Sequence, residues 1–255
     1  MKDIFKRIDD YWSSQRNNEI YLRGKDVERG SEEYWTIIES ARSRYIYYFD
    51  DILTFLKNGI GVKLLEVGCG MGVDLAYFIR HGFEGTGVDL SREHLKLAEK
   101  YCILRGIRAN LLHQNAEQLT FPENYFDCAY SLGVLHHTQN PQKGIDEIYR
   151  VLRPHGRCVV MLYHKYSLNN LVHTIFRIPF DNIEAAHPGG RDADFVYRFS
   201  RQETEKMFQH FSQVRIKVEY AYGAGWEPIY SWTPSFLYRI MSKIAGWHLL
   251  IFAQK

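Results

Sequence analysis

Hydrophobic residues follow two alternating spacings through the middle of this chain of 255 residues. Short apolar runs, typical of buried strands, alternate with stretches whose apolar positions lie three and four apart, typical of helices. The runs predict strands at 63–67, 85–88, 109–114, 126–132 and 157–163. Between them the pattern predicts helices at 73–80, 91–105 and from Pro141 until Pro154 and Gly156 stop the helix. This alternation indicates a parallel sheet with helices on both faces.

The two ends of the chain follow other patterns. Ser31 is a candidate N-cap for a helix that we expect to run to about residue 57, where Gly59 and Gly61 end it. Residues 214–220 alternate apolar and charged side chains, as in a half-buried strand. The remaining C-terminal predictions are helices at 167–177 and 200–210, a loop at 181–194, an aromatic insertion at 223–246 and a last strand at 247–253.

We therefore expect residues 1–255 to form one domain in three parts. These are an N-terminal helical lid (1–58), a core that binds a cofactor (60–165), and helices on the substrate side with the last two strands (166–255).

Composition excludes more than it identifies. A net charge of +2 is too small to indicate a nucleic-acid partner, since such domains more often have a pI above about 9. The first residues carry no apolar secretory segment, and no apolar stretch is long enough to span a bilayer, so we expect a cytoplasmic protein. The four cysteines show no C-x-x-C spacing and are expected to be buried thiols.

The first predicted strand runs into a glycine loop. Gly68, Gly70 and Gly72 stand at alternate positions before a helix, where bare backbone and free N–H groups can meet a ligand. The dinucleotide-binding fingerprint is G-x-G-x-x-G, but Val73 occupies the place of its last glycine. Asp89 closes the second strand, where its carboxylate would suit two ribose hydroxyls. We expect ribose binding rather than a structural role for Asp89, because Ser91 already serves as the next N-cap.

Four segments in this order (66–72, 87–89, 115–117 and 126–137) resemble the motifs of the class I S-adenosylmethionine-dependent methyltransferases, and among these the UbiE-like, type 11 branch. The resemblance implies a Rossmann-like α/β fold with seven strands in the order 3-2-1-4-5-7-6, the seventh antiparallel. It implies S-adenosyl-L-methionine as cofactor.

The resemblance also implies a role for individual residues. Glu66 and the backbone at Gly68, Gly70 and Gly72 would hold the amino-acid part of the cofactor, and Asp89 would hold the ribose. Leu90 would pack on the adenine, whose edge Asn115 and Ala116 would read. Ser131 and Leu132 would line the reaction centre. Asn115 departs from the Asp that is frequent in the family, although its amide oxygen can also accept a hydrogen bond.

Three histidines follow predicted strands and are candidates for a general base: His136, His137 and His164. The alternative is that one of the adjacent pair packs on the adenine or caps a turn. No metal is expected, because no nearby pair of aspartates accompanies them.

The flanking segments are rich in aromatic residues that could form either a substrate lid or the lid's own core. They are Tyr11, Trp12, Tyr21, Tyr163, Tyr166, Tyr197, Phe199, Trp226, Tyr230 and Trp232. Arg191 and Arg198 could pair with a substrate carboxylate or be solvated. A helix at 234–244 with one apolar face is expected to roof the substrate cavity, with membrane contact as the alternative.

These features predict methyl transfer to a small molecule, by an oxygen or nitrogen nucleophile in preference to carbon, and no nucleic-acid partner. The alternatives are a methyltransferase acting on a peptide or RNA, a nucleotide-binding oxidoreductase, and a non-catalytic cofactor-binding module.

Overall fold

A seven-stranded sheet in the order β3-β2-β1-β4-β5-β7-β6 forms the centre of the protein. The computed structural model describes residues 6, 9–13, 22, 25–176, 196–223, 226 and 228–255. The strands are β1 Lys63–Val67, β2 Glu84–Asp89, β3 Asn110–His113, β4 Phe126–Leu132, β5 Leu152–Tyr163, β6 Ser212–Glu219 and β7 His248–Gln254. Strands β1 to β5 pair in parallel, whereas β7 is antiparallel to both β5 and β6. The predicted fold class and strand order are confirmed.

The helices of the described segments are α1 Glu32–Tyr45, α2 Phe49–Lys57, α3 Val73–Arg80, α4 Arg92–Leu104, α5 Pro141–Val151, α6 Leu168–Phe176, α7 Arg201–Met207, α8 Ile229–Trp232 and α9 Ser235–Ala245. Side-chain caps fix several of their starts. The hydroxyls of Ser31, Ser91 and Ser200 and the amide oxygen of Asn140 each accept a backbone N–H in the first turn.

Hydrophobic cores lie on both faces of the sheet. Leu65 of β1 packs in one core with Ile145 and Ile148 of α5. Its neighbour Leu64 points to the other face and packs with α2 and α3. Successive residues of a strand point to opposite faces, so the nearly continuous burial along β1 and β4 reflects cover on both sides of the sheet.

One predicted helix is two. The structure ends α1 at Tyr45 and begins α2 at Phe49, so a single helix from 31 to 57 is wrong. In the break, the hydroxyl of Tyr47 donates to the carboxylate of Glu219 at 2.5 Å. The hydroxyl of Tyr48 forms a hydrogen bond with Nδ1 of His248 at 2.6 Å. These partners lie in the last third of the chain, and their hydrogen bonds outweigh the local helical preference.

Strand β5 begins earlier than predicted. It starts at Leu152 instead of residue 157, and its pairing with β4 jumps from Leu152 to Arg157. The residues between them, including Pro154, lie at this irregularity, where a proline without an N–H is tolerated.

Three further features are the cysteines, the predicted loop at 181–194 and the length of the apolar helices. All four cysteines are buried and free. The predicted loop at 181–194 lies outside the described residues. No helix in the described part of the chain is long and apolar enough to cross a membrane.

Candidate active site

A cavity of about 320 Å³ opens where β1, β2, β4 and β5 end. The carboxyl ends of parallel strands form the usual ligand crevice of such sheets. Residues from all seven strands or the segments that follow them, together with Trp12 and three residues at 38–46, line the cavity. Its size falls at the lower end of ordinary small-ligand sites, which are about 300–1,000 Å³.

The glycine loop after β1 forms one wall. Gly68, Gly70 and Gly72 have φ angles of 75°, 50° and 76°, a region that other residues rarely adopt. A Cβ on Gly68 would collide with Val134, whereas a Cβ on Gly70 would meet nothing within 4 Å. Gly70 therefore leaves open space beside bare backbone.

Asp89 borders the same space and also shapes it. Its Oδ2 accepts the N–H of Gly70 at 2.8 Å, and its Oδ1 accepts the N–H of Ser91 at 2.7 Å. The expectation that Asp89 has no structural role is wrong, because the N–H of Ser91 needs an acceptor even though the Ser91 hydroxyl caps α4. Each carboxylate oxygen keeps a second lone pair for a ligand.

Glu66 is a buried carboxyl on the cavity wall. Only 4% of the residue is exposed, and its Oε2 has no hydrogen-bond partner among the described residues. Burial, reinforced by the nearby Asp74 carboxylate and opposed by Arg42, raises the pKa of Glu66 well above its usual range. A buried acceptor without a partner is costly, so this carboxyl is suited to a cationic ligand.

Beside Glu66 lies a partly buried ion pair between α1 and α3. Arg42 donates to both carboxylate oxygens of Asp74, with Nε to Oδ1 at 2.7 Å, and Tyr130 of β4 donates to Oδ2 at 2.9 Å. Arg42 and Asp74 both line the cavity. The pair ties the N-terminal helices to the glycine-loop helix at the cavity wall.

Leu90, Asn115, Ala116 and Leu132 line the cavity as well. The Oδ1 of Asn115 accepts the N–H of Glu117 at 2.9 Å, so the side chain also closes its own turn. This leaves its NH₂ group and a second lone pair to a ligand.

Two residues expected in the cofactor site stand behind it. Gly72 is the N-cap of α3 and does not line the cavity, whereas its neighbours Cys69, Met71 and Val73 do. Ser131 is 1% exposed and donates to the carbonyl of Val67 at 3.0 Å. The expectation of direct ligand contact is therefore not met for these two, whose roles in the structure are to shape the loop and join β4 to β1.

The structure separates the three candidate histidines. His137 lines the cavity, and its ring lies 4.9 Å from that of Trp12. His136 is fully buried against Tyr163 and does not line the cavity, so the expectation that it faces the substrate is wrong. His164 also lies outside the cavity lining, and its Nδ1 is 3.0 Å from the carbonyl of Gly246. The rings of His136 and His137 lie 4.3 Å apart in the 3₁₀ turn Leu135–His137, but of the two only His137 reaches the cavity.

Sequence reasoning missed His248, the first residue of β7. It lines the cavity together with Tyr220, which follows β6. The one signal in the sequence was the place of His248 at the start of the last predicted strand. Because β7 is antiparallel to β5, its amino end lies at the edge of the sheet where the parallel strands end.

The flanking aromatic residues divide among several environments. Trp12 and Tyr163 line the cavity, whereas Tyr166 and Trp232 are exposed. Trp226 and Tyr230 pack in a separate cluster around Tyr222 and Tyr238. The other members of the aromatic set, Tyr11, Tyr197 and Phe199, do not line the cavity, and neither does Arg198. Tyr21 and Arg191 lie outside the described residues.

Helix α9 does not roof the cavity, contrary to expectation. None of its residues lines it, and Phe236, Leu237, Ile240 and Ile244 are 41–74% exposed. The helix packs through its other face, where the Tyr238 hydroxyl donates to the Tyr222 carbonyl at 2.7 Å. The Ser242 hydroxyl accepts the N–H of Ala221 at 3.0 Å. These hydrogen bonds to the residues after β6 turn the apolar face outward.

Comparison with known proteins supports a methyltransferase domain. Residues 65–160 match the family model described as a methyltransferase domain. This segment contains the glycine loop, Asp89 and Leu132 of β4, all of which contribute to the cavity wall.

Curated relatives match over part of their length. A ubiquinone biosynthesis O-methyltransferase of Rickettsia conorii is 25% identical over 138 residues, 53% of this chain and 47% of the relative. The ubiquinone/menaquinone biosynthesis C-methyltransferase of Serratia proteamaculans is 34% identical over 110 residues, 41% and 44% of the two chains. A tRNA U34 carboxymethyltransferase of Hydrogenovibrio crunogenus is 33% identical over 117 residues, 44% and 35%. The chain thus spans about half the length of the first two relatives and a third of the last.

A solved structure extends the likeness over the fold. Magnesium protoporphyrin IX methyltransferase from Synechocystis, crystallised with bound S-adenosylhomocysteine, has a TM-score of 0.61 and covers 98% of this chain and 99% of its own. At 15% identity this shows a common fold.

Proposed function

We propose that this chain, whose residues 65–160 match a methyltransferase domain, is a class I S-adenosylmethionine-dependent methyltransferase of the UbiE-like branch that methylates a small organic acceptor through an oxygen or nitrogen nucleophile. The cofactor is S-adenosylmethionine. The observation that carries the proposal is the cavity in which Glu66, the open backbone at Gly70 and the carboxylate of Asp89 lie together.

The lining residues fit the cofactor's functional groups. The Oε2 of Glu66, which has no hydrogen-bond partner among the described residues, suits the ammonium of the amino-acid part, and the loop at 68–71 offers bare backbone beside it. Asp89 would accept the ribose hydroxyls, Leu90 would pack on the adenine, and Asn115 with Ala116 would bind its edge.

The three-part organisation is part of the proposal. The lid (1–58) contributes Trp12, Ile38, Arg42 and Ile46 to the cavity, and the core (60–165) contributes the cofactor residues. The segment 166–255 contributes Tyr220 and His248. A cavity covered from both sides in this way favours a small acceptor over a macromolecule.

The bound cofactor supplies a methyl group on a sulfonium, a very good leaving group. In the proposed reaction the acceptor forms a bond to the methyl carbon while the carbon–sulfur bond breaks and its electron pair stays on sulfur. The protein's main contribution is alignment, which can supply on the order of 7–11 kcal/mol. His137 is the proposed base for a protonated nucleophile, because it is the one of the three candidate histidines that lines the cavity.

Isothermal calorimetry with S-adenosylhomocysteine and with NAD tests the cofactor part of the proposal. We expect the former to bind and NAD not to bind, since Val73 replaces the last glycine of the dinucleotide fingerprint. NAD binding without a response to S-adenosylhomocysteine would refute it.

Transfer of radioactive methyl groups from S-adenosylmethionine tests the acceptor class. Small phenols, carboxylates and amines are compared with bulk tRNA and with a peptide pool. Transfer to tRNA alone would replace the small-molecule proposal, a comparison that the tRNA-modifying relative makes necessary.

A further inference from the structure

The cavity wall beyond the cofactor residues is built at the amino end of β7. His248 pairs with Tyr163 of β5 and with Glu219 of β6, so its neighbours come from both sides in the sheet. Directly opposite residues of antiparallel strands share a face, and both Tyr163 and His248 line the cavity.

The imidazole of His248 is held on two sides. Its Nδ1 lies 2.6 Å from the hydroxyl of Tyr48, in the break between α1 and α2. The ring of Tyr220 stacks on it with centroids 4.2 Å apart and planes 3° from parallel. Tyr220 has a φ of 64°, in the left-handed region that bulky residues avoid. Strained backbone of this kind persists where the surroundings over-determine it, often at ligand sites.

The hydrogen bond to Tyr48 fixes which ring nitrogen of His248 carries the proton. Burial raises the pKa of Tyr48 well above its usual value, so the hydroxyl keeps its proton. In the described part of the chain, this hydroxyl has His248 Nδ1 as its hydrogen-bond partner. A buried hydroxyl that donated to nothing would be costly, so Tyr48 donates and Nδ1 accepts. The proton of the neutral ring is then on Nε2.

The same arrangement argues against His248 as a general base. Burial, with a further contribution from Arg42, lowers the pKa of His248 to about 3. With Nε2 already protonated, accepting another proton would create a buried cation near the Arg42 guanidinium. Because Nδ1 is occupied by Tyr48, Nε2 is the ring nitrogen that can contact a bound molecule, and it does so as a donor.

We propose that Tyr48, His248 and Tyr220 form an oxygen-recognition subsite, in which the Nε2–H of His248 donates to a carbonyl, carboxylate or phenolate oxygen of the methyl acceptor. Tyr48 is a positioning residue that sets the tautomer, and Tyr220 holds the ring plane. A protonated amine is excluded at this position, because two donors would face each other. This inference rests on the proposed function, since it assigns a substrate class to the same cavity.

Long-range ¹H–¹⁵N correlation spectra of ¹⁵N-histidine-labelled protein test the tautomer without any acceptor. We expect a neutral, Nε2-protonated ring at pH 7, assigned by the signal that disappears in His248→Gln. Tyr48→Phe should give the Nδ1-protonated form or a mixture, an effect that loss of packing alone would not produce. An Nδ1-protonated or cationic His248 in the wild-type protein would overturn the proposal.

Binding of matched probes tests the substrate class. With S-adenosylhomocysteine saturating, benzoate should bind more tightly than benzylamine, which has a similar ring and a cationic group. His248→Leu should weaken benzoate binding about tenfold, which corresponds to ~1.4 kcal/mol for one hydrogen bond. His248→Gln should retain most of it, since the amide can place an N–H near the position of Nε2.

His173→Gln is the matched control, because His173 is buried in α6 outside the cavity lining. It should leave benzoate affinity unchanged. Benzylamine binding as tightly as benzoate, no benzoate binding, or full affinity in His248→Leu would each overturn the subsite. Failure here with normal S-adenosylhomocysteine binding refutes the subsite alone, whereas absence of S-adenosylhomocysteine binding refutes the proposed function.

Discussion

The carboxylate of Asp89 accepts the backbone N–H of Gly70 at 2.8 Å, so the last residue of β2 fixes the loop that follows β1. Its other oxygen accepts the N–H of Ser91. A residue proposed to bind ribose thus also sets the conformation of the loop proposed to bind the amino-acid part of the cofactor.

Asp89→Ala should therefore reduce both stability and cofactor affinity. We expect a loss of about 1–3 kcal/mol in the free energy of unfolding for each N–H left unsatisfied, and about 1.5–3 kcal/mol in S-adenosylhomocysteine binding. Urea denaturation and calorimetry measure the two. Ser91→Ala is the control: it removes the N-cap of α4, at about 1 kcal/mol, but Ser91 does not line the cavity and affinity should not change.

Replacing Glu66 should lower cofactor affinity without lowering stability. Glu66→Gln removes a buried carboxyl with an unpartnered oxygen, so stability should stay level or rise, while S-adenosylhomocysteine affinity falls by about 1.5–3 kcal/mol. Because burial raises the pKa of Glu66, pairing with an ammonium should ionise it and release a proton. Calorimetry in two buffers of different ionisation enthalpy measures that proton, which should disappear in the variant.

Asp127→Asn provides the contrast for Glu66→Gln. Asp127 is also a buried carboxylate, but it accepts from Arg153 and from the backbone of Lys63 outside the cavity lining. The Asp127→Asn variant should be less stable than the wild type and should keep its affinity for S-adenosylhomocysteine. Equal affinities for wild type and Glu66→Gln would remove Glu66 from the proposed site.

Alanine variants of Gly70 and Gly82 distinguish the effect of backbone strain from the effect of ligand contact. Gly70 and Gly82 both have positive φ, 50° and 97°, and a Cβ on either would meet nothing within 4 Å. Alanine at each should cost about 1–2 kcal/mol of stability through strain. Only Gly70 lines the cavity, so only Gly70→Ala should also weaken S-adenosylhomocysteine binding, by about tenfold or more through crowding. Similar affinity in the two variants, measured by calorimetry, would place the ligand away from the loop.

Local signals in the sequence determined much of the core. The bounds of α3 (73–80) and β4 (126–132) agree with the prediction, because glycine breaks, caps and apolar runs are encoded next to the elements that they delimit. Of the ten cofactor residues that the resemblance to the methyltransferases implies, eight line the cavity.

Contacts between distant parts of the chain were beyond such signals. The break between α1 and α2 depends on Tyr48 meeting His248, 200 positions away. The outward orientation of α9 depends on hydrogen bonds of Tyr238 and Ser242 to the residues after β6. An apolar helical face shows that one side is hydrophobic, but not whether the fold covers it.

Buried histidines should make stability depend on pH. Burial lowers the pKa of His136, His164 and His248, the last to about 3. Below the unfolded-state value of about 6.5, the unfolded chain therefore binds more protons at these sites than the native protein does. Their contribution to the free energy of unfolding is fully present above that pH and is lost as pH falls toward the native pKa. The raised pKa of Glu66 acts with the opposite sign, since there the native protein holds the proton.

His248→Gln isolates one of these contributions. Glutamine does not titrate, so the slope of the unfolding free energy against pH, between about pH 4 and 6, should be shallower than in the wild type by up to ~1.4 kcal/mol per pH unit. The variant should lose stability at neutral pH, and this deficit should shrink as the pH falls, because the wild type weakens faster. Urea denaturation at several pH values measures both slopes. Parallel curves would mean that His248 is protonated to the same extent in the native and unfolded states, and would contradict the neutral donor on which the oxygen-recognition subsite depends.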